Sequence, residues 1–253
     1  MSGHSHYSSI KYQKTTTDAK RSKDFSKLAR EIMIAAKEGD DPETNSKLRV
    51  AIEKAKSINL PKENIERAIK KGIGQIPGQK LEEILLEACG PGGIAIIIEE
   101  ITDNKNRTIG EIKQILTQKG GKLVSEGAVK WLFERKGCIT INPNSQTPIT
   151  KEELELKAIE AGAEDIYWHN TGREAEPRQG RDFLDVYAKI EDLERVKKNL
   201  EKKGINVEST TLDWVPKEEI KVDQNSRKKC QKLFEDLDEN DAVQEIYSNL
   251  ASS

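Results

Sequence analysis

The chain has 253 residues, 34% of them charged and 35% hydrophobic, with a formal net charge of −2. No unbroken apolar run exceeds five residues, against the roughly 20 that a spanning helix needs, which excludes a helical membrane protein. The cysteines Cys89, Cys138 and Cys230 are scattered and odd in number, which excludes a disulfide framework or a zinc knuckle. The first thirty residues hold no apolar segment resembling a signal peptide, so the cytoplasm is the expected compartment.

The near-neutral total hides a division. Residues 1–79 carry 16 Lys and Arg against 10 Asp and Glu, a net of +6, and the remainder carries 26 against 34, a net of −8. A basic front end on an acidic body points to nucleic acid as the partner of the basic part. The first segment, Ser2 to Thr17, is an arm in which Tyr7 and Tyr12 alternate with Lys11 and Lys14. Cations mixed with aromatics suit a polymer of phosphates and flat bases. A helix follows over 17–37. Its residues Lys20, Lys23, Lys27 and Arg30, with Arg21 beside them, form a basic stripe, because their 3-4-3 spacing keeps the four within about 80° of arc. Phe25, Leu28, Ala29, Ile32 and Ala36 fall on the opposite, core-facing side. Further helices are predicted over 45–57 and from Pro61 to Gly72, where the proline opens the helix and Lys70-Lys71-Gly72 closes it. Glycines and a proline over 72–78 read as a linker.

The period then changes from helix to strand. Residues 81–89 and 94–101 read as strands around the turn Gly90-Pro91-Gly92-Gly93, the second strand apolar on both faces. A helix over 107–119 and a strand over 129–134 follow. From Gly137 a β-α-β-β-α-β series runs to Trp214: strands 138–141, 166–168, 182–189 and 207–214, with helices over 151–161 and 191–203. The leftover helix 224–238 and strand 242–247 have no sheet of their own and are expected to return to the first one. The expected architecture is therefore α+β in three domains. A helical basic domain spans 1–79, a split α+β domain spans 80–135 plus 216–253, and an inserted α+β domain spans 136–215.

Candidate active sites are thin. The glycine turn at 90–93 lacks the Gly-Lys-Ser/Thr ending of a phosphate cradle and leads into a strand, so it reads as a hairpin. Glu99, Glu100 and Asp103 beside Arg107 read as surface charge, with no nucleophile or histidine nearby. His4 and His6 make a weak two-ligand pair, and His169 stands alone. Trp131, Trp168 and Trp214 lie in strand contexts and read as core. The expectation is a protein that is not an enzyme and that holds no metal or cofactor. A hydrolase or metal enzyme in a cleft between the α+β domains is the contrasting class.

Several longer motifs are recognisable. Gly3-His4-Ser5, Asp18-Ala19-Lys20-Arg21, Lys27-Leu28-Ala29-Arg30-Glu31-Ile32 and Leu60-Pro61-Lys62-Glu63-Asn64-Ile65-Glu66-Arg67-Ala68-Ile69-Lys70-Lys71-Gly72 resemble the YebC/PmpR family. So do Gly90-Pro91-Gly92-Gly93, Thr102-Asp103-Asn104, Phe133-Glu134-Arg135-Lys136-Gly137 and the closing Asp241-Ala242-Val243-Gln244. Relatives in that family include the mitochondrial translational activator of cytochrome c oxidase. The resemblance implies a helical N-terminal bundle followed by two ferredoxin-like α+β domains, the third inserted in the second. Where the family usually has Lys-Trp after Gly-His-Ser, this chain has His6-Tyr7, which removes a fixed charge and the largest stacking surface.

The resemblance implies a DNA-binding transcriptional regulator, or alternatively a ribosome-associated factor on ribosomal RNA that helps translation through proline-rich stretches. On either reading the nucleic-acid contacts are assigned to Tyr7, Lys11, Tyr12, Lys14, Lys20, Arg21, Lys23, Lys27 and Arg30. If about five phosphates are neutralised, log affinity falls against log salt with a slope near −4.5 on duplex DNA. Reversing Lys23 and Lys27 to Glu is expected to weaken binding with folding intact. No heptad or apolar patch announces an interface, so a monomer is expected.

Overall fold

The computed structural model describes residues 18–78, 80–143, 149–170 and 182–251, with the side chains of 18–21, 169 and 170 outside that description. Helix α1 (Asp18–Ala35) ends in a short 3-10 turn at Gly39, and α2 (Ser46–Ser57) and α3 (Lys62–Gly72) complete the first bundle. Leu28, Ile32 and Ala36 meet Leu48, Ala51, Ala55, Ile65 and Ala68 in one core, as the helical spacing requires. At Gly72 the α3 backbone lies against α1 so closely that a Cβ would run into the Met33 carbonyl.

Asn45 ties the bundle's first turn together. Its side-chain oxygen accepts from Leu48 N at 3.0 Å, capping α2. Its amide donates to the carbonyls of Ala35 and Gly39, both at 2.8 Å, closing the open end of α1.

The middle domain begins with a hairpin, β1 (Glu82–Cys89) and β2 (Ala95–Thr102). Gly92 turns it with φ 75°, and a Cβ there would meet Val222 Cγ1 at 2.7 Å. Helix α4 (Lys105–Gln118) starts at the cap Asn104, earlier than the expected 107, because the Asn104 side chain accepts from Arg107 N at 3.1 Å. A two-residue strand β3 (Lys122–Leu123), too short to show periodicity in the sequence, pairs with β1. Helix α7 (Gln224–Asp238) and strand β8 (Val243–Ser248) return to this domain, and β8 pairs with β2. The antiparallel order is β3-β1-β2-β8.

Strand β4 (Phe133–Ile141) corrects the sequence reading. The strands expected at 129–134 and 138–141 are a single strand, preceded by a 3-10 turn over Lys130–Leu132. Gly137 does not break it. The glycine sits under α6 (Leu193–Lys202), where a Cβ would meet Leu193 Cδ1 at 2.6 Å. Helix α5 (Lys151–Ala161), β5 (Asp165–Asn170), β6 (Asp182–Ala188) and β7 (Ser209–Pro216) complete the second sheet, ordered β5-β6-β4-β7. That order over a β-α-β-β-α-β chain is ferredoxin-like. The middle domain places its helices on one sheet face in the same way but opens with a hairpin.

Replacing Asn45 with Ala should cost about 2 kcal/mol, since a cap and two buried carbonyl partners are lost together. Urea unfolding of the variant beside the wild type measures it.

Candidate nucleic-acid interface

Helix α1 presents its apolar side to the bundle core, as expected, and its basic side is where the structure adds most. Lys27 is only 6% exposed. Its ammonium donates to Asp238 Oδ1 at 2.9 Å and to the Asp238 carbonyl at 3.1 Å. Lys23 pairs with Glu239 at 3.1 Å, and the Arg30 guanidinium donates to the Asp241 carbonyl. Lys23, Lys27 and Arg30 therefore seat on the C-terminal end of α7 and the residues just after it, where carbonyls and acidic side chains attract cations together. Lys20 and Arg21 continue the same helix toward its N-terminus, with side chains outside the described residues, as are Tyr7, Lys11, Tyr12 and Lys14 altogether. Reversing Lys23 and Lys27 would face Glu with Asp238 and Glu239, so the expectation that folding stays intact does not hold.

Other cations do the same at the neighbouring seams. Lys54 on α2 bridges Glu31 at 3.3 Å and Glu245 at 2.9 Å. Burial pushes its pKa down, but the two carboxylates outweigh this and hold it above that of a free lysine. Arg49 reaches Glu194 at 3.7 Å and Lys197 reaches Glu53 at 3.4 Å, joining the first domain to the third. Between them lies an open cleft of about 470 Å³, lined among others by Lys54, Lys56, Lys197, Glu53, Glu201 and Thr210. Its charges are mixed in sign, so it offers no focused field for an anion.

Three further exposed cations stand on or beside the first domain. Arg67 and Lys70 stand on the outer face of α3, with Lys80 at the end of the linker, all exposed. Among the described residues, none of the three is in an ion pair.

At the junction of the two sheets, Glu99 accepts from Trp214 Nε1 at 2.9 Å and pairs with Arg135 at 2.8 Å. The Arg135 guanidinium lies over the Trp214 ring at 5.0 Å and the Tyr247 ring at 5.9 Å, and Lys130 covers Trp214 at 5.2 Å. Burial pushes the Glu99 pKa up against the pull of Arg135 and Trp214. Glu99, Trp214 and Arg135 here engage one another inside the protein, which is the pattern of a structural joint.

These elements match known proteins along nearly their full length. Residues 5–75 match the TACO1/YebC protein N-terminal domain, and residues 81–250 match the TACO1/YebC second and third domain. The chain belongs to the TACO1/YebC family. A probable transcriptional regulatory protein of Dictyoglomus thermophilum is 45% identical over 250 residues, covering 98% of this chain and 95% of the relative. One from Persephonella marina is 44% identical over 255 residues, covering 100% and 97%. A conserved hypothetical protein of Aquifex aeolicus has a crystal structure that superimposes with a TM-score of 0.83 at 42% identity, covering 95% of this chain and 94% of that one.

Within this TACO1/YebC chain two sequence readings need correction. Glu99 and Glu100 are not surface charge. They face opposite sides of β2, and Glu100 is 1% exposed with both carboxyl oxygens buried and without a hydrogen-bond partner. Burial, and then repulsion from Glu111, push its pKa up to about 8, so it is largely protonated at neutral pH. Trp131 is not core. It is 64% exposed on the 3-10 turn before β4. A tryptophan surrounded by Val129, Leu132 and Phe133 gives no sequence signal that it alone faces out.

Chemistry remains sparse. Burial, and then Asp185, push the Cys138 thiol well up, and burial pushes Cys230 up to about 11, so neither is a ready nucleophile. Among the described residues no cluster of His, Cys, Asp and Glu could hold a metal ion.

Replacing Asp238 with Ala should remove the carboxylate from the buried Lys27 ammonium and cost about 3 kcal/mol in urea unfolding. For Glu100 the folded chain holds its proton more tightly than the unfolded chain, whose value is near 4.5. Its contribution is therefore most favourable at low pH and is lost as pH rises toward 8. Glu100→Gln should accordingly melt higher than the wild type at about pH 9 and depend less on pH, as read by thermal melts across that range.

Proposed function

We propose that this protein is a non-enzymatic regulator of gene expression that binds nucleic acid, in the first instance DNA, through its N-terminal domain. The observation that carries the reading is its match, across 98% of the chain, to relatives named probable transcriptional regulatory proteins. The charge division supports it. A net of +6 over residues 1–79 sits on a body of net −8, so the acidic domains discourage general coating of the polyanion.

Within the N-terminal domain the contacts are assigned to the arm residues Tyr7, Lys11, Tyr12 and Lys14, to Lys20 and Arg21, and to the exposed Arg67 and Lys70 of α3. Lys23, Lys27 and Arg30 stay in the proposed interface only as the residues that fix α1 on the middle domain and so aim its N-terminal end. Phosphate contacts of this kind position a protein without reading sequence.

The test is a salt titration of duplex DNA binding. Reversing Arg67 and Lys70 together to Glu should lower affinity at least tenfold and reduce the magnitude of the log–log salt slope by about 2. Both side chains are exposed, so the melting temperature should hold. An unchanged slope removes α3 from the interface.

A further inference from the structure

The loop that carries Trp131 is mounted with unusual firmness for an exposed segment. Glu87 on β1 is 2% exposed and turns its carboxylate into this loop. It accepts from Gly127 N at 2.6 Å, Val129 N at 2.7 Å and Lys130 N at 2.8 Å. The loop also closes on itself, since the indole Nε1 donates to the Ala128 carbonyl at 3.0 Å. From the other side Lys217 Nζ donates to the Trp131 carbonyl at 2.8 Å, and Lys217 N donates to the Leu132 carbonyl at 2.9 Å. A buried carboxylate is thus committed to fixing a loop whose one large exposed side chain is an indole.

Three consequences define what would sit on it. The indole is held before any partner arrives, so little conformational freedom is lost on binding. Its only donor is already used, which leaves a π surface and asks for a flat partner rather than an acceptor. Lys217, exposed and already bonded to the Trp131 carbonyl, keeps ammonium donors to spare beside the indole, where a phosphate next to a stacked base would lie. Glu126 and Glu218 lie in the same two segments. The local field is therefore close to balanced, and the stacked face has to supply the affinity.

We infer that Trp131 is a stacking platform for an unpaired base of single-stranded nucleic acid, with Lys217 on an adjoining phosphate. This rests on the nucleic-acid reading above but places a second contact on the middle domain, away from the basic N-terminal region. Inside a duplex both faces of a base are covered by its neighbours, so an indole on a loop can engage only a loop, an end or a single strand.

The experiment compares wild type, Trp131→Ala and Trp131→Tyr on a fluorescently labelled unstructured 12-nucleotide single strand and on its duplex. Trp131→Ala should bind the single strand about tenfold more weakly, with the salt slope and the duplex affinity unchanged, and Trp131→Tyr should retain most of the affinity. Intrinsic tryptophan fluorescence should be quenched by the single strand in the wild type, and most of that quenching should disappear in Trp131→Ala. Single-strand affinity that is unchanged in Trp131→Ala, or that falls equally on the duplex, overturns the platform while leaving the N-terminal interface standing. A wild type that binds neither probe overturns both.

Discussion

Strand β2 is buried on both faces, and the arrangement of the three domains follows from that constraint. Ile96 and Ile98 point into the helix layer with Ile112, Leu116, Leu233 and Phe234. Ala95 and Ile97 point the other way, onto Phe133, Val129 and Tyr247, with Trp214 of the third domain packed against them. Further along the strand, Ile101 joins Leu81 in the core of the first bundle. A half-buried strand would have left separable domains on linkers. A strand with two apolar faces can be satisfied only by bringing the other two domains onto the one that contains it.

Buried and half-buried cations then fix how those domains meet. Lys27 on Asp238, Lys54 between Glu31 and Glu245, and Arg135 on Glu99 all lie at such seams. Pairs of this kind return little net stability, because each charge has given up water, but a mispaired seam would leave a charge buried and alone. Their role is to select one docking geometry. The basic stripe of α1 illustrates the double use of charge, since the spacing that would suit a phosphate backbone equally suits the carbonyls and carboxylates at the end of α7.

Two buried glutamates in the same sheet show how little residue type decides by itself. For Glu87 burial pushes the pKa up, but the amides of Val129, Gly127 and Lys130 outweigh it and the carboxylate stays charged, below the usual range. Glu100 has no such donors and keeps its proton. The first is a mount for a loop. The second is a neutral acid whose ionisation works against the fold.

Much of this was legible in the chain. The amphipathic stripe of α1, the two-faced apolar run of β2, the turn glycines and the ferredoxin-like series of the third domain all follow from local periodicity, which each segment carries in its own residues. The match of long motifs in order placed the chain in its family. What the sequence left open depends on partners distant in the chain. Gly137 stood between two expected strands but lies inside one, and what requires a glycine there is the Leu193 side chain packed above it. Trp131 read as core and Glu100 as surface because neighbours in sequence suggest an environment but do not create one. Lys27 read as a nucleic-acid contact because nothing within α1 announces Asp238, some two hundred residues away. The sequence by itself determined most of the elements, their order and the division of charge. Only the tertiary structure decided which of those charges and aromatics still face solvent, since exposure is a property of what the fold brings alongside a residue.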